Sequence, residues 1–385
     1  MSEIGIGAIG CGGRLRHILK GICTQTSGVK LVALCDTDHK AVEEFRRLFN
    51  PQAKIYADYR ELVTEPTISA VLIGSWNCFH REHAVAALEA GKDVYCEKPL
   101  ATTLDDCLSI YKAWQRSGRL FMVGFTLRYS PHYLKIKEII DSGAIGQPIS
   151  FEFNETLDFN HGSYIMRCWR NSMKNAGTHL LEKCCHDIDI VNWLCGKKVV
   201  MAASFGGLNV FIPENKKLLE RLKPDQQGRK PYFTWILPEA GDPFTCKKDV
   251  VDNQVSILEF ENGVRATFHC NSHSGLPERR LYICGTEGAI RSDVISGKLE
   301  LRRVGFDEQI QDVATGVSGG HGDGDTMLCQ MLIDMITKKK KPQTGIDDAI
   351  TSAITCFGID KAMQDRAVVN LGQYWGKFEN VKRSI

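Results

Sequence analysis

A short apolar run, Ile4–Ile9, passes directly into Gly10-Cys11-Gly12-Gly13-Arg14-Leu15, and then into a stretch where Leu15, Ile18, Leu19 and Ile22 recur at i, i+3, i+4 and i+7. Strand, glycine loop and amphipathic helix in direct succession leave few folds open. The same grammar continues to about residue 125. Strand-like runs at Val29–Cys35, 70–74, Asp93–Cys96 and 120–125 alternate with helical spacing such as Val42, Phe45 and Phe49. A helix around 80–90 ends at Gly91, where a C-terminal glycine belongs. Such short, continuously apolar strands are buried on both faces. The repeat therefore predicts right-handed crossovers and a doubly wound parallel sheet over residues 1–125.

After residue 126 the pattern changes. A helix is expected through Leu134, Ile139 and Ile140 to Gly143, then an alternating strand with Phe151 and Phe153 on one side, then a helix over 179–195. Runs 254–260 and 264–270 flank Asn262-Gly263, a strong short hairpin signal. Further strands are expected at 280–284, 289–294 and Lys298–Arg303. Residues 126–385 thus read as an α+β domain with a large, mainly antiparallel open sheet, from which a polar surface excursion departs at about 207–250. The lysines at 338–341 precede Pro342 and suit a solvated helix C-terminus.

Composition narrows the function classes. Lys and Arg number 48 against 46 Asp and Glu, a net charge of +2, so the basic footprint of a nucleic-acid binder is missing. No apolar run reaches the 18 or so residues of a membrane span. Met1-Ser2-Glu3-Ile4 leads into the first strand without a basic or apolar leader pattern. The fifteen cysteines are scattered through apolar runs with no CxxC, and read as small buried hydrophobes in a reducing cytoplasm. Cys11, Cys184 and Cys185 are expected close enough to the chemistry for thiol modification to inhibit.

The glycine loop suits a dinucleotide. Gly10 allows the tight turn, while Gly12 and Gly13 let backbone approach a pyrophosphate at the helix N-terminus, with Arg14 and Leu15 opening that helix. The third glycine of the usual pattern is replaced by Leu15; read alone, such a loop is equally a simple turn. Asp36, at the end of the next strand, stands where an acid binds the adenosine ribose hydroxyls, and no arginine follows before Arg46. NAD is therefore expected over NADP. Ser75, Trp76 and Asn77, with His80, and Glu97 with Lys98, lie at carboxyl ends of strands, the ligand side of a parallel sheet. A lysine beside the positive ring of an oxidised nicotinamide releases its proton more readily. Lys98 is thus the expected general base for a substrate hydroxyl, and the acid in reverse.

Asn77-x-x-His80, Glu97-Lys98-Pro99, Gly124-Phe125 with Arg128-Tyr129, Asp141-Ser142-Gly143-Ala144-Ile145-Gly146, and a helix carrying His186, Asp187 and Asp189 follow in order. Together these resemble the Gfo/Idh/MocA family (glucose-fructose oxidoreductase, inositol dehydrogenase, MocA) along nearly the whole chain. The resemblance implies an NAD-dependent oxidoreductase of sugars or cyclitols in which His186 acts with Lys98. It implies substrate contacts from Arg128, Tyr164, Arg167, Trp169 and Arg170, and a homodimer or tetramer paired through the open sheet face. In the family the carboxylate four residues before the histidine is commonly aspartate and the residue two before it glycine; here they are Glu182 and Cys184.

Read by spacing alone, Glu182 and His186 at i, i+4 share one helix face and suit a proton relay or a grip on adjacent hydroxyls. Each also has a reading as a packing group, Glu182 by pairing with Lys183 or a helix end. Adjacent Cys184 and Cys185 diverge by roughly 100° and cannot chelate one ion, so no metal is expected. His321, within Gly319-Gly320-His321-Gly322, is a further candidate substrate ligand. Two other functions fit the same scaffold: a glycoside-cleaving enzyme that oxidises the sugar transiently, and a non-catalytic dinucleotide sensor, which would need neither Lys98 nor His186.

Overall fold

The computed structural model describes residues 3–384 other than 236 and 238–240. Met1, Ser2, Ile385 and four residues of the excursion thus lie outside the described residues. By contacts the chain divides into two units, the first comprising Met1–Ser130, Asp323–Ala353 and Gly376–Ile385, the second Pro131–Gly322 and Ile354–Trp375.

The first unit carries six parallel strands, β1 (Ile4–Ile9), β2 (Val29–Cys35), β3 (Lys54–Tyr56), β4 (Ile68–Ile73), β5 (Asp93–Cys96) and β6 (Phe121–Val123), in the order β3-β2-β1-β4-β5-β6. This is the doubly wound order expected from the alternation, with its switch point between β1 and β4. Leu15, Ile18, Leu19 and Ile22 of the helix Gly13–Gln25 are fully buried. They share a core with Leu328, Leu332, Met335 and Ile336 of the helix Gly324–Lys338, which places that late helix in the first unit. At its end Lys339 pairs with the buried Asp93 at 2.7 Å, so the basic run is partly tied down rather than wholly solvated. β3 is an edge strand of three half-exposed residues, too short for a periodic signal. The run at 120–125 yields only three strand residues because at Gly124 the chain turns beside Tyr95 and Glu97, where a Cβ would lie 2.9 Å from the Tyr95 hydroxyl.

The second unit is built on a nine-stranded sheet: β7 (Pro148–Asp158), β8 (Val199–Gly207), β9 (Asn253–Phe260), β10 (Arg265–Ser274), β11 (Arg280–Gly285), β12 (Gly288–Asp293), β13 (Lys298–Arg303), β14 (Gln311–Asp312) and β15 (Val369–Asn370). Their order is β14-β13-β12-β11-β7-β10-β9-β8-β15, antiparallel except for the central β7–β10 pair. Asn262-Gly263 makes the expected hairpin, with Gly263 at φ +81° and the Phe260 N–H donating to the Val264 carbonyl at 2.8 Å. The helix Pro131–Asp141 buries His132, Tyr133, Ile136 and Ile139, an offset from the stripe expected through Leu134 and Ile140. The excursion is not simply polar surface: Phe211, Tyr232, Phe244 and Val250 bury together against Leu157, Ile165 and Met166.

Candidate functional site

In the first unit the glycine loop is shaped as a cradle. Gly10 sits at φ +89°, where a Cβ would fall on the Ser75 backbone, while a Cβ at Gly13 would meet nothing within 4 Å. The helix Gly13–Gln25 starts without a side-chain cap, leaving its first N–H groups turned to that open space. Such a terminus is an anion site. The Asp36 carboxylate is held at the cradle's edge by the N–H groups of Cys11 at 2.6 Å and Asp38 at 2.9 Å. Leu15 packs on the end of β4: a Cβ at Gly74 would lie 2.9 Å from the Leu15 Cβ. The close helix–strand approach usually given by a third glycine is therefore supplied by Gly74.

At the end of β5, Glu97 accepts hydrogen bonds from the Tyr95 hydroxyl at 2.6 Å, Arg14 Nε at 2.9 Å and the Lys98 N–H at 3.3 Å. Arg14 also reaches the Thr126 hydroxyl at 2.7 Å and Asp325 at 2.6 Å. One guanidinium thus ties the cradle to the strand end that presents Lys98, a half-buried side chain. His80 is fully buried between the Pro99 carbonyl (Nδ1, 2.8 Å) and the Ser75 carbonyl (Nε2, 3.2 Å). Burial lowers its pKa while the two carbonyls pull the other way, and the ring acts as a strut between the ends of β4 and β5. Asn77 is buried, while Trp76 is 43% exposed and stacks with Phe79. Arg128 is buried and pairs with Asp348 at 2.9 Å. Arg14, Asp325 and Thr126 act together across 300 residues of sequence, a grouping that no spacing rule reveals.

In the second unit the helix expected over 179–195 begins with a π-helical stretch, Leu180–Cys184, before the regular helix Cys185–Cys195. The wide turn spans Glu182 and Lys183, while His186 stands in the first turn of the regular helix. Glu182 turns to Arg170 Nε at 2.9 Å, and Lys183 to Glu155 at 3.2 Å. The Asp187 carboxylate meets Arg279 Nε at 2.9 Å, and the His186 ring lies 5.8 Å from that of His321. The helix is buried nearly all round, without the solvent-facing polar side that the pattern implies.

Arg279, 3% exposed, completes a buried charge cluster that sequence reasoning missed. It pairs with Asp187 and Glu155, and donates to the Gly320 carbonyl at 2.5 Å, anchoring the loop that carries His321. Burial would raise Glu155, but Arg279 and then Lys183 outweigh it and hold the carboxyl at about 2. For Asp187 burial wins and the pKa is raised, with Arg279 pulling against it. A glutamate inside the buried run of β7 was the one signal that could have pointed here.

Beside this cluster stands an aromatic wall. Arg170 donates to the Tyr164 hydroxyl at 2.7 Å and stacks on Trp169 at 4.3 Å. Trp235 packs on Tyr164 at 4.6 Å and on His161 at 4.8 Å. Arg167 is buried, stacked on Phe233 and donating to the Trp235 carbonyl, which makes it a support for the wall. Cys11, Cys184 and Cys185 are buried, and burial raises the thiols of Cys11 and Cys184. They are thus poor targets for modification, contrary to the expectation above. Among the described residues no group of three or more His, Cys, Asp or Glu could hold a metal, and no helix is long and apolar enough to cross a membrane.

Comparison with known proteins bears on both units. Residues 4–125 match the family model described as oxidoreductase family, NAD-binding Rossmann fold, and residues 137–371 match its C-terminal alpha/beta domain. The chain is 33% identical over 224 residues to an inositol 2-dehydrogenase of Salmonella paratyphi B, covering 58% of this chain and 60% of that protein. It is 34% identical over 197 residues to an inositol 2-dehydrogenase/D-chiro-inositol 3-dehydrogenase of Shouchella clausii, covering 50% and 51%. The chain thus spans only about half to three-fifths of the curated relatives it matches. Among solved structures, a myo-inositol 2-dehydrogenase from Lactobacillus plantarum shares the fold with a TM-score of 0.74 at 20% identity, covering 96% of this chain and 99% of that one. A levoglucosan dehydrogenase in complex with NADH and levoglucosan does so with a TM-score of 0.78 at 20% identity, covering 96% and 100%. With both domain models matched across most of its length, the chain belongs to the Gfo/Idh/MocA oxidoreductase family, and its first domain is that family's NAD-binding Rossmann domain.

Proposed function

We propose that this protein is an NAD-dependent dehydrogenase that oxidises a secondary hydroxyl of a sugar, cyclitol or glycoside, or reduces the corresponding ketone. The observation that carries the reading is Lys98 at the carboxyl end of β5, set there by a Glu97 that Arg14 locks to the glycine cradle. The inositol dehydrogenases among its relatives support a polyol substrate.

Each unit has its own task. The first binds the dinucleotide through the backbone of Gly10, Gly12 and Gly13 and the Asp36 carboxylate, a grip that favours NAD because a 2′-phosphate would face Asp36. When bound, the nicotinamide supplies a hydride acceptor. Lys98 takes the hydroxyl proton in oxidation and returns it in reduction. In the second unit His186 orients the reacting hydroxyl or passes its proton on, with His321 beside it. The Arg170–Glu182 pair offers a donor and an acceptor to neighbouring hydroxyls, and the Tyr164 and Trp169 rings suit a sugar's apolar face. Phe205, Val255, Ile257 and Tyr282 stand exposed on the outer face of the nine-stranded sheet, and we assign this face to pairing between copies. The test is Lys98→Met, assayed for NADH formation with myo-inositol and a panel of sugars. Turnover should fall about 100- to 10,000-fold while NAD still binds; full turnover with NAD bound defeats the mechanism.

A further inference from the structure

The excursion forms a cavity of about 340 Å³ between Asp158, Asn160, Lys223, Arg229, Thr234 and Trp235. That volume is at the lower end of ligand-pocket sizes, roughly 300–1,000 Å³. Three features make it more than a surface dent. Trp235 leaves 43% of its surface open, yet it is fixed from behind: its ring rests on His161 and Tyr164, and its carbonyl receives the buried Arg167. The opposite wall is braced too, since the Asn160 amide oxygen accepts from the Tyr232 N–H at 2.8 Å and the Asp158 carboxylate from the Asn160 N–H at 2.8 Å. Finally, the polar lining is mixed. Arg229 is matched by Asp225 at 2.7 Å, and Lys223 and Asp158 add one charge of each sign to the lining, so the cavity favours neither an anion nor a cation.

A rigid, half-open indole beside mixed donors and acceptors is the chemistry that recognises a neutral sugar ring. The C–H face of a pyranose lies on the negative π face, and its hydroxyls take the polar rim. We propose that this cavity is a second carbohydrate subsite, so that the preferred substrate is a glycoside of two rings rather than a free cyclitol or monosaccharide. The proposal rests on the function assigned above, and deepens it. Tyr164 is the link: it backs Trp235 on one side and fixes Arg170, the partner of Glu182, on the other. A ring on Trp235 and a ring offered to Glu182 are thus served by one continuous wall of the second unit.

The experiment uses the two-domain protein saturated with NAD. Glucose, myo-inositol and the disaccharides maltose, cellobiose, trehalose and sucrose are titrated by calorimetry, and NADH formation is recorded in parallel. At least one disaccharide should bind 10-fold or more tightly than either single-ring compound. Trp235→Ala should remove that advantage, leaving single-ring binding within about twofold, and Trp235→Phe should restore most of it. Disaccharides that bind no better than single rings to the unmodified protein overturn the proposal even if a variant fails to fold. Equal losses for one and two rings in Trp235→Ala overturn it as well. Disaccharide binding that depends on Trp235 without any NAD reduction keeps the subsite and removes the dehydrogenase reading. Reduction of NAD by single rings, with no disaccharide preference, does the reverse.

Discussion

Arg279 is the residue whose removal the second unit should tolerate least. Its guanidinium is 3% exposed and contacts two carboxylates that are themselves almost fully buried, Glu155 and Asp187. Glu155 is held at about 2 instead of its usual 4.5. A carboxyl bound that much more tightly as the anion favours the folded state by about 3 kcal/mol at neutral pH. Arg279→Met leaves both Glu155 and Asp187 with Lys183 as their remaining cation, and breaking a buried pair in this way costs about 3–5 kcal/mol. For a unit of roughly 200 residues, each kcal/mol moves the midpoint by about 2–4 °C, so the expected drop is roughly 6–20 °C by scanning calorimetry at pH 7. The sign of the pH dependence is fixed as well. A lowered carboxyl stabilises above its unfolded pKa and loses that contribution as pH falls through the folded value. The gap between variant and parent should therefore shrink as pH falls from about 5 toward 2–3. Arg279→Lys keeps the charge but not the fork that also holds Gly320, and should fall between the two. A drop under about 4 °C at pH 7, or a gap that widens on acidification, would refute the reasoning.

Asp36→Ser should weaken NAD far more than NADP in equilibrium titrations, since only the ribose hydroxyls of NAD need that carboxylate; equal losses remove the basis for NAD preference. Gly74→Ala puts a methyl 2.9 Å from the Leu15 Cβ, so it should cost about 1–3 kcal/mol and weaken NAD binding. The double change with Leu15→Ala should recover most of that in a mutant cycle, and simple additivity would contradict the contact. Asp360 is raised from 3.8 to about 7, chiefly by burial, with Thr178 and Gln254 donating to it against that trend. Its contribution is complete below pH 4 and declines as pH rises through about 7, by about 4 kcal/mol in all. Asp360→Asn should flatten the fall in Tm between about pH 4 and 7; an unchanged slope would show that another group titrates.

The first sheet was legible because its determinants are local. Leu15, Ile18, Leu19 and Ile22 carry the 3.6-residue period of one buried stripe, and each strand announces itself by an unbroken apolar run. The cradle was legible too, since a glycine at φ +89° is needed where the chain must pass Ser75. The second unit's site was not, and the reason is physical. Glu182 and His186 have helical spacing, but Glu182, Lys183 and Asp187 on and just after the π-helical turn engage Arg170, Glu155 and Arg279 from distant parts of the chain. Arg279 lies 92 residues from Asp187, and nothing in the sequence near either one marks the pair.

The departures from the family pattern can be weighed in the same terms. Leu15 in place of glycine looked like damage to the dinucleotide motif, yet what the motif needs is a short distance between helix and strand, not a glycine at one position. Gly74 supplies that distance from the other side. Glu182 in place of aspartate is longer by one methylene, and its carboxylate is spent on Arg170, a residue that also stacks on Trp169 and bonds Tyr164. The longer side chain carries the carboxylate to the aromatic wall through Arg170. In the mechanism proposed above, Lys98 and His186 handle the proton, and Glu182 with Arg170 would shape which ring is held. On this division Glu182→Asp should change substrate preference, read as a shift in KM among sugars, more than it lowers kcat. A large fall in kcat with KM unchanged would instead place Glu182 in the proton path.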